Sequence, residues 1–198
     1  MTAEPTNSSA HVAALRDDPH LGPAVREHGP LDLSPAADLY ERLVVSLTRQ
    51  QVSMAAADAI EARLFERFEV TPEAMLAADP AELHDAGLSE AKTEYVQATA
   101  SAFRERGWSH DYFTDMDDDA VVEEVTAVRG VGPWTAKMFL MFGLGREDVF
   151  PVEDLGIRKG MEAAFDEEMT RGEMRERARE WAPYRSFASL YLWRAVEG

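Results

Sequence analysis

Cysteine is absent from the 198 residues of this chain. Without thiols the chain forms no disulfide, no cysteine-ligated zinc site and no iron–sulfur cluster, and it has no cysteine nucleophile. The histidines are scattered along the chain without the spacing of metal ligands, at His11, His20, His28, His84 and His110. We therefore expect neither thiol chemistry nor a metal site built on histidine.

Lysine is nearly absent as well, since 17 of the 20 basic residues are arginine and the lysines are Lys92, Lys137 and Lys159. The 37 acidic residues give a net charge of −17 and a pI near 4.6. With an ordinary hydrophobic fraction of 45%, this balance indicates a salt-adapted protein from a halophile, or simply an acidic one. Taken alone, the negative charge argues against binding nucleic acid, which is a polyanion.

Long hydrophobic runs are missing too. No segment approaches the roughly 20 apolar residues of a membrane helix. Residues 1–10 have neither the basic start nor the apolar centre of a signal peptide. We expect a cytoplasmic protein without membrane contact, long enough for one domain or two small lobes.

Helical periodicity is present along almost the whole chain and predicts an all-α fold of about ten short helices. The pair Ser34-Pro35 is typical of a helix start and predicts a helix reaching about Arg49. Further starts are predicted at residues that cap helices well, namely Ser53, Thr71, Asp79, Ser89 and Thr170.

The segment VTAVRGVGPWTAK (125–137) joins two predicted helices through a turn in which Gly130 and Gly132 bracket one apolar residue. Glycine permits the positive backbone dihedrals of a tight hairpin. The helix that begins at Pro133 then presents unpaired N–H groups, which suit a phosphate oxygen. An ordinary corner between two helices has the same pattern, so this segment alone does not decide between them.

Two later segments carry further polar and aromatic residues. In VFPVEDLGIRKG (149–160) the proline delays the helix, which places Asp154 at its start, either as a plain N-cap or as a functional carboxylate. The segment WAPYRSFASLYLWR (181–194) is dense in aromatic residues, and its simplest interpretation is a core-packing helix.

Together with LVVSLTRQQVSMAAADAI (43–60) and GLSEAKTEYVQATA (87–100), these segments resemble the helix-hairpin-helix DNA glycosylases, in particular the branch of 3-methyladenine DNA glycosylase II. The resemblance extends from about residue 31 to 198. It implies two helical lobes with a DNA-binding cleft between them. One lobe is formed by 40–147, with the helix-hairpin-helix motif at about 120–143, and the other by 1–39 with 148–198.

The resemblance implies a catalytic role for Asp154, because a carboxylate beside the sugar stabilises an oxocarbenium-like cation and can orient water. Trp134 stands where bifunctional members of the superfamily carry a lysine nucleophile. This predicts a monofunctional enzyme that does not cleave the strand. Trp134, Trp193 and Met138 would line the base pocket, since an aromatic face attracts a cationic alkylated purine.

The resemblance also implies contacts with double-stranded damaged DNA. Gln51, or less directly Gln50, would fill the gap left by the flipped base. Contacts to the DNA backbone are expected from Arg129, Gly130, Val131, Gly132, Thr135, Lys137, Arg158 and Arg185. The carbonyls of Thr126, Val128 and Val131 would hold a monovalent cation, Na⁺ or K⁺, and no other cofactor is expected.

Departures from the family pattern leave the lesion range open. Arg129 replaces the usual proline before the hairpin, and Leu155 stands where some relatives have tyrosine. The alternatives are a glycosylase for another damaged base, a non-catalytic module that binds damaged DNA, and an acidic protein-interaction domain. We expect a monomer that associates with the nucleoid and needs no protein partner.

Overall fold

The computed structural model describes residues 10–197 of the chain, and this part is helical without a β-strand. The α-helices are Ala10–Leu15 (α1), Gly22–His28 (α2), Leu39–Arg49 (α3), Met54–Arg67 (α4), Pro72–Ala77 (α5), Pro80–Asp85 (α6), Glu90–Arg106 (α7), His110–Phe113 (α8), Asp118–Thr126 (α9), Pro133–Met138 (α10), Leu155–Phe165 (α11), Arg171–Arg177 (α12) and Arg185–Glu197 (α13). A π-helical turn, Phe139–Gly143, continues α10, and a 3₁₀ turn, Ala178–Trp181, continues α12. The predicted all-α class is confirmed.

Local capping explains most of the helix starts. The side chains predicted to cap, at Ser53, Thr71, Asp79, Ser89 and Thr170, each accept a hydrogen bond from a backbone N–H in the first turn. The start predicted at Ser34 is wrong, because the chain is not helical from 34 to 38 and α3 begins only at Leu39. Asp38 caps α3, and its Oδ1 accepts from Glu41 N at 2.8 Å.

The chain divides into two compact units. The central unit is residues 35–144, and the terminal unit combines residues 10–34 with 145–197. The boundaries expected from the sequence, at 39/40 and 147/148, lie three to five residues later along the chain. No helix within residues 10–197 is long and apolar enough to cross a membrane.

The terminal unit is built on the packing of α11 against α13. Ile157 and Met161 of α11 and Tyr191 and Leu192 of α13 are fully buried in its core. A Cβ at Gly160 would lie 2.7 Å from the Leu192 carbonyl oxygen, so only glycine allows the two helices this separation. This close packing fixes the C-terminal helix over the first turns of α11.

The central unit surrounds α3, whose apolar stripe is inaccessible to solvent. The helix that leads into the hairpin, α9, is fastened by Glu124. Its carboxylate accepts hydrogen bonds from Arg106, Trp108 and Tyr112 at 3.0 Å each. Burial opposes ionisation of Glu124, but these bonds outweigh it and hold the pKa below its ordinary value. The ionised carboxylate therefore ties α9 to α7 and α8.

Candidate nucleic-acid interface and candidate active site

The segment between α9 and α10 forms a tight hairpin. Val131 N donates to the Val128 carbonyl at 3.1 Å. Gly130 has a φ of +91°, and a Cβ at this position would overlap the ring of Tyr95 on α7. Glycine is therefore required here both by the backbone conformation and by the close approach of the ring.

The helix after the hairpin starts without a side-chain cap. Its N-cap is Gly132, and Pro133 occupies the first helical position. The Gly132 carbonyl accepts the first helical bond, from Ala136 N at 2.9 Å. The first-turn N–H groups of a helix have no partner within the helix, and a glycine brings no acceptor to them. This arrangement suits an external anion such as a phosphate.

The side chain of Thr135 is turned inward and is 1% exposed. Its Oγ1 accepts a hydrogen bond from Gln50 Nε2 at 2.8 Å, and the same nitrogen donates to the Gly130 carbonyl at 2.9 Å. The hydroxyl of Thr135 is therefore committed within the protein, which leaves its main-chain N–H for the predicted DNA contact. Insertion of Gln50 into DNA would break both bonds, so Gln51 remains the predicted wedge.

Gln51 lies in the turn between α3 and α4 and is exposed. Its φ of +55° is in the left-handed region, which costs a residue with a side chain about 1 kcal/mol. Two large apolar residues beside it are also exposed, Val52 at 38% and Met54 at 60%. A strained turn that presents a polar tip and apolar flanks fits a side chain that enters a base stack.

The predicted basic contacts differ in their surroundings. Arg129 forms an ion pair with Glu94, with 2.7 Å between Nη2 and Oε2. Arg185 forms a bidentate ion pair with Asp148, in which Nε and Nη2 donate to the two carboxylate oxygens at 2.7 and 2.9 Å. A phosphate would have to compete with these carboxylates. Arg158 is half-buried, and its Nε has no hydrogen-bond partner in the part of the chain that the structure describes. Lys137 is half-buried on α10.

The carbonyls predicted to hold a cation belong to Thr126, Val128 and Val131. The Val128 carbonyl already accepts the hairpin bond and has a second lone pair for a cation. Backbone carbonyls are ligands for Na⁺ and K⁺ rather than for transition metals. The described residues include no cluster of histidine and acidic side chains able to hold a metal. The donor set thus fits a monovalent ion.

Asp154 is the N-cap of α11 and is half-buried. Its Oδ1 accepts from Ile157 N at 2.9 Å and from Trp193 Nε1, also at 2.9 Å. The first bond is an ordinary cap, whereas the second comes from α13, 39 residues further along the chain. Two donors on one oxygen fix the orientation of the carboxylate, a property expected of a reactive group.

Gly156 was not identified by sequence reasoning. A Cβ there would lie 2.8 Å from Trp193 Cδ1 and 3.0 Å from Asp154 Oδ1. The missing side chain leaves the space that the indole occupies when it reaches the carboxylate. The sequence held one signal, since Gly156 and Gly160 are four residues apart and thus share a helix face.

The other residues predicted for the base pocket are placed as follows. Trp134 is half-buried in the first turn of α10, and Met138 is 5% exposed near its end. Leu155, which follows the candidate catalytic residue, is 56% exposed. Tyr95 and Lys92, which support the hairpin and the end of α3, were also missed, because neither carries a local sequence signal for that role.

An all-α chain with a glycine hairpin, an exposed polar turn and an oriented carboxylate defines a helix-hairpin-helix protein. Residues 44–184 match the family model of the HhH-GPD superfamily base excision DNA repair proteins, and the chain belongs to this family.

Relatives and solved structures agree with this membership. A DNA-3-methyladenine glycosylase of Saccharomyces cerevisiae is 36% identical over 71% of this chain, a match that spans 52% of the yeast protein. The Schizosaccharomyces pombe 3-methyladenine DNA glycosylase Mag1, solved with abasic DNA, superposes with a TM-score of 0.88 at 26% identity, over 95% of this chain and 97% of that one. A Bacillus halodurans DNA-3-methyladenine glycosidase gives 0.78 at 31% identity, over 98% and 92%.

Proposed function

We propose that this chain is a monofunctional DNA glycosylase of base excision repair that removes alkylated purines from double-stranded DNA. The observation that carries the proposal is the Asp154 carboxylate, which caps α11 and is oriented by the indole of Trp193. Membership of the HhH-GPD family and similarity to proteins named as 3-methyladenine glycosylases support the substrate class.

The chemistry needs one carboxylate. As the bond between C1′ and the purine nitrogen breaks, the sugar becomes a cation that Asp154 stabilises. A cationic 3-methyladenine or 7-methylguanine takes the electron pair of this bond and leaves as a neutral base. Water then adds to C1′ and releases its proton to solvent, with Asp154 as the group that orients it. No general acid is required, because the alkylated base leaves without protonation.

Strand cleavage by a Schiff base is not part of the proposal. That reaction needs an amine nucleophile, and Trp134 occupies the position at which bifunctional relatives carry lysine. We propose instead that Trp134 of α10 and Trp193 of α13 attract the positive charge of the base through their aromatic faces, and that Met138 of α10 also contributes to binding the base.

DNA is held, in this proposal, by the uncapped start of α10 and by the glycine hairpin, while Gln51 fills the gap in the base stack. A Na⁺ or K⁺ ion on the carbonyls of Thr126, Val128 and Val131 would screen the neighbouring phosphate. The protein acts as a monomer in the cytoplasm, and high salt weakens the repulsion between DNA and its acidic surface.

A non-catalytic module that binds damaged DNA is the second candidate. One observation favours it: Asp154 accepts its first-turn N–H just as Asp38, Asp79 and Asp117 do at their helices. If capping is its only task, the chain binds damaged DNA and releases nothing.

The test is a release assay on methylated duplex DNA at molar and at low salt, with the liberated base identified by chromatography. Strand breaks are scored before and after alkali, and a borohydride trap reports any covalent enzyme–DNA intermediate. We expect free 3-methyladenine or 7-methylguanine, breaks only after alkali, and no trapped complex. Tight binding without release would favour the second candidate, and a trapped complex would refute monofunctional chemistry.

A further inference from the structure

One side chain joins the turn that carries Gln51 to the hairpin. Gln50 directly follows α3, and its amide nitrogen donates to the carbonyl of Gly130 and to the hydroxyl of Thr135. A carbonyl only accepts hydrogen bonds, so the nitrogen and not the oxygen of the amide must face the hairpin. Gln50 thus binds Gly130, which lies two residues before Gly132, and Thr135, which lies three residues after it.

α7 contacts the same two segments. Lys92 Nζ donates to the Thr48 carbonyl at 2.6 Å, near the end of α3, and burial lowers the pKa of this lysine. Three residues further along α7, the ring of Tyr95 lies against Gly130. The end of α3, α7 and the hairpin therefore form a closed set of contacts, which we call the bracket, with Gln50 as its link between turn and hairpin.

We propose that Gln50 is a positioning residue that couples the insertion of Gln51 into DNA to the binding of the hairpin to the phosphate backbone. The inference rests on the proposed function. Because the turn that carries Gln51 begins at Gln50, any movement of the turn relative to the hairpin breaks the two hydrogen bonds of Gln50. When the hairpin binds a phosphate, it therefore also sets the position of Gln51 along the duplex. Gln51 then does not have to find its insertion point in the base stack independently.

The chain contains a matched control for this role. Gln97 on α7 also donates from its amide nitrogen to two backbone carbonyls, those of Met75 at 3.2 Å and Ala78 at 3.3 Å. These residues lie at the end of α5 and carry no predicted DNA contact. Gln97→Leu removes the same kind of bridge from a place where it only supports the fold.

The experiment compares Gln50→Leu with Gln97→Leu in single-turnover release of 7-methylguanine placed opposite cytosine or opposite thymine. A mismatched base is already easier to extrude, so it depends less on a well-placed wedge. For Gln50→Leu we expect the rate to fall about 10- to 100-fold opposite cytosine and much less opposite thymine. Gln97→Leu keeps both rates, although both variants lower the melting temperature.

Unchanged rates in Gln50→Leu, or equal losses on both duplexes, would overturn the coupling. If Gln50→Leu does not fold, Gln50→Asn replaces it, because the shorter side chain keeps the amide but cannot span both acceptors. If wild type releases no base from either duplex, the proposed function fails. The coupling is then read from 2-aminopurine fluorescence beside a tetrahydrofuran abasic analogue, where wild type raises the signal and Gln50→Leu does not. Equal signals would refute it.

Discussion

Two helices of this molecule begin in opposite ways. α11 begins at Asp154, whose carboxylate accepts the N–H of Ile157 and places a negative charge at the helix N-terminus. α10 begins at Gly132, which has no side chain to offer. The first start is capped by the protein's own carboxylate, whereas the second has no side-chain cap, an arrangement that suits an external anion.

Under the proposed function, each start has a separate task. A phosphate is an anion and binds where no carboxylate competes for the first-turn N–H groups. A sugar that becomes cationic is stabilised by a carboxylate, and one held by two donors is already oriented for it. In a chain with 37 acidic residues, the glycine N-cap of α10 is therefore as informative as the carboxylate N-cap of α11.

The largest effect is expected from Asp154→Asn. Asparagine caps helices about as well as aspartate, so the substitution removes the charge and leaves the cap. We expect the single-turnover rate of base release to fall by about 10³-fold, which corresponds to about 4 kcal/mol, with little change in melting temperature.

Asp79→Asn is the matched control, because Asp79 caps α6 through Ala81 N at 2.8 Å and has no proposed role in the reaction. Base release by this variant should equal that of wild type. Full base release by Asp154→Asn would show that the Asp154 carboxylate only caps its helix and that another group carries the reaction.

The next effect concerns the two glycines of the hairpin. Gly130→Ala puts a methyl group into the ring of Tyr95 at a positive φ, and we expect it to lower the free energy of unfolding by about 3 kcal/mol. At Gly132 an added Cβ meets nothing within 4 Å, and the φ of −93° is ordinary, so Gly132→Ala should keep the fold. Denaturant unfolding of both variants checks this, and equal stabilities would contradict the described hairpin.

A smaller effect is expected at Gly156. Alanine there pushes against the indole of Trp193 and the carboxylate of Asp154, so we expect base release to slow about tenfold and stability to fall by about 1–2 kcal/mol. Gly172→Ala in α12 is the control, since its Cβ would only reach ordinary contact with Thr170 at 3.8 Å. That variant should gain a few tenths of a kcal/mol. An active Gly156→Ala would weaken the case for an oriented carboxylate.

The smallest effect is on the salt dependence of binding. Arg129 and Arg185 are paired with carboxylates, so few cations are left to release counterions from DNA. We expect the logarithm of the association constant to fall with the logarithm of salt concentration with a slope of about −2 to −3. A slope of about −6 or steeper would mean that these pairs open to engage phosphates.

Much of the fold could be predicted, because the signals are local. The capping side chains of Ser53, Ser89 and Thr170 each lie three residues before the N–H that they bind. Their helix starts can therefore be predicted from the local sequence. The start predicted at Ser34 is wrong because a second adequate cap, Asp38, lies four residues later, and the local pattern does not decide between the two.

The candidate site was only partly predictable for the same reason. Residue types and their order point to Asp154, the hairpin glycines and the Gln50-Gln51 pair. The contacts that define their roles connect residues far apart in the chain, 80 between Gln50 and Gly130 and 39 between Trp193 and Asp154. No periodicity or spacing contains such pairs, so the bracket and the orientation of the carboxylate follow only from the three-dimensional fold.

Equilibrium binding of an undamaged duplex by Gly132→Asp and Asp154→Asn tests the contrast between the two helix starts most directly. Gly132→Asp adds at α10 the cap that α11 already has, in an extended backbone that accepts it. The account predicts that Gly132→Asp gains up to about 1 kcal/mol of stability yet binds DNA about 100-fold more weakly, whereas Asp154→Asn binds at least as tightly as wild type. Wild-type affinity in Gly132→Asp, or an equal loss in both variants, would contradict it.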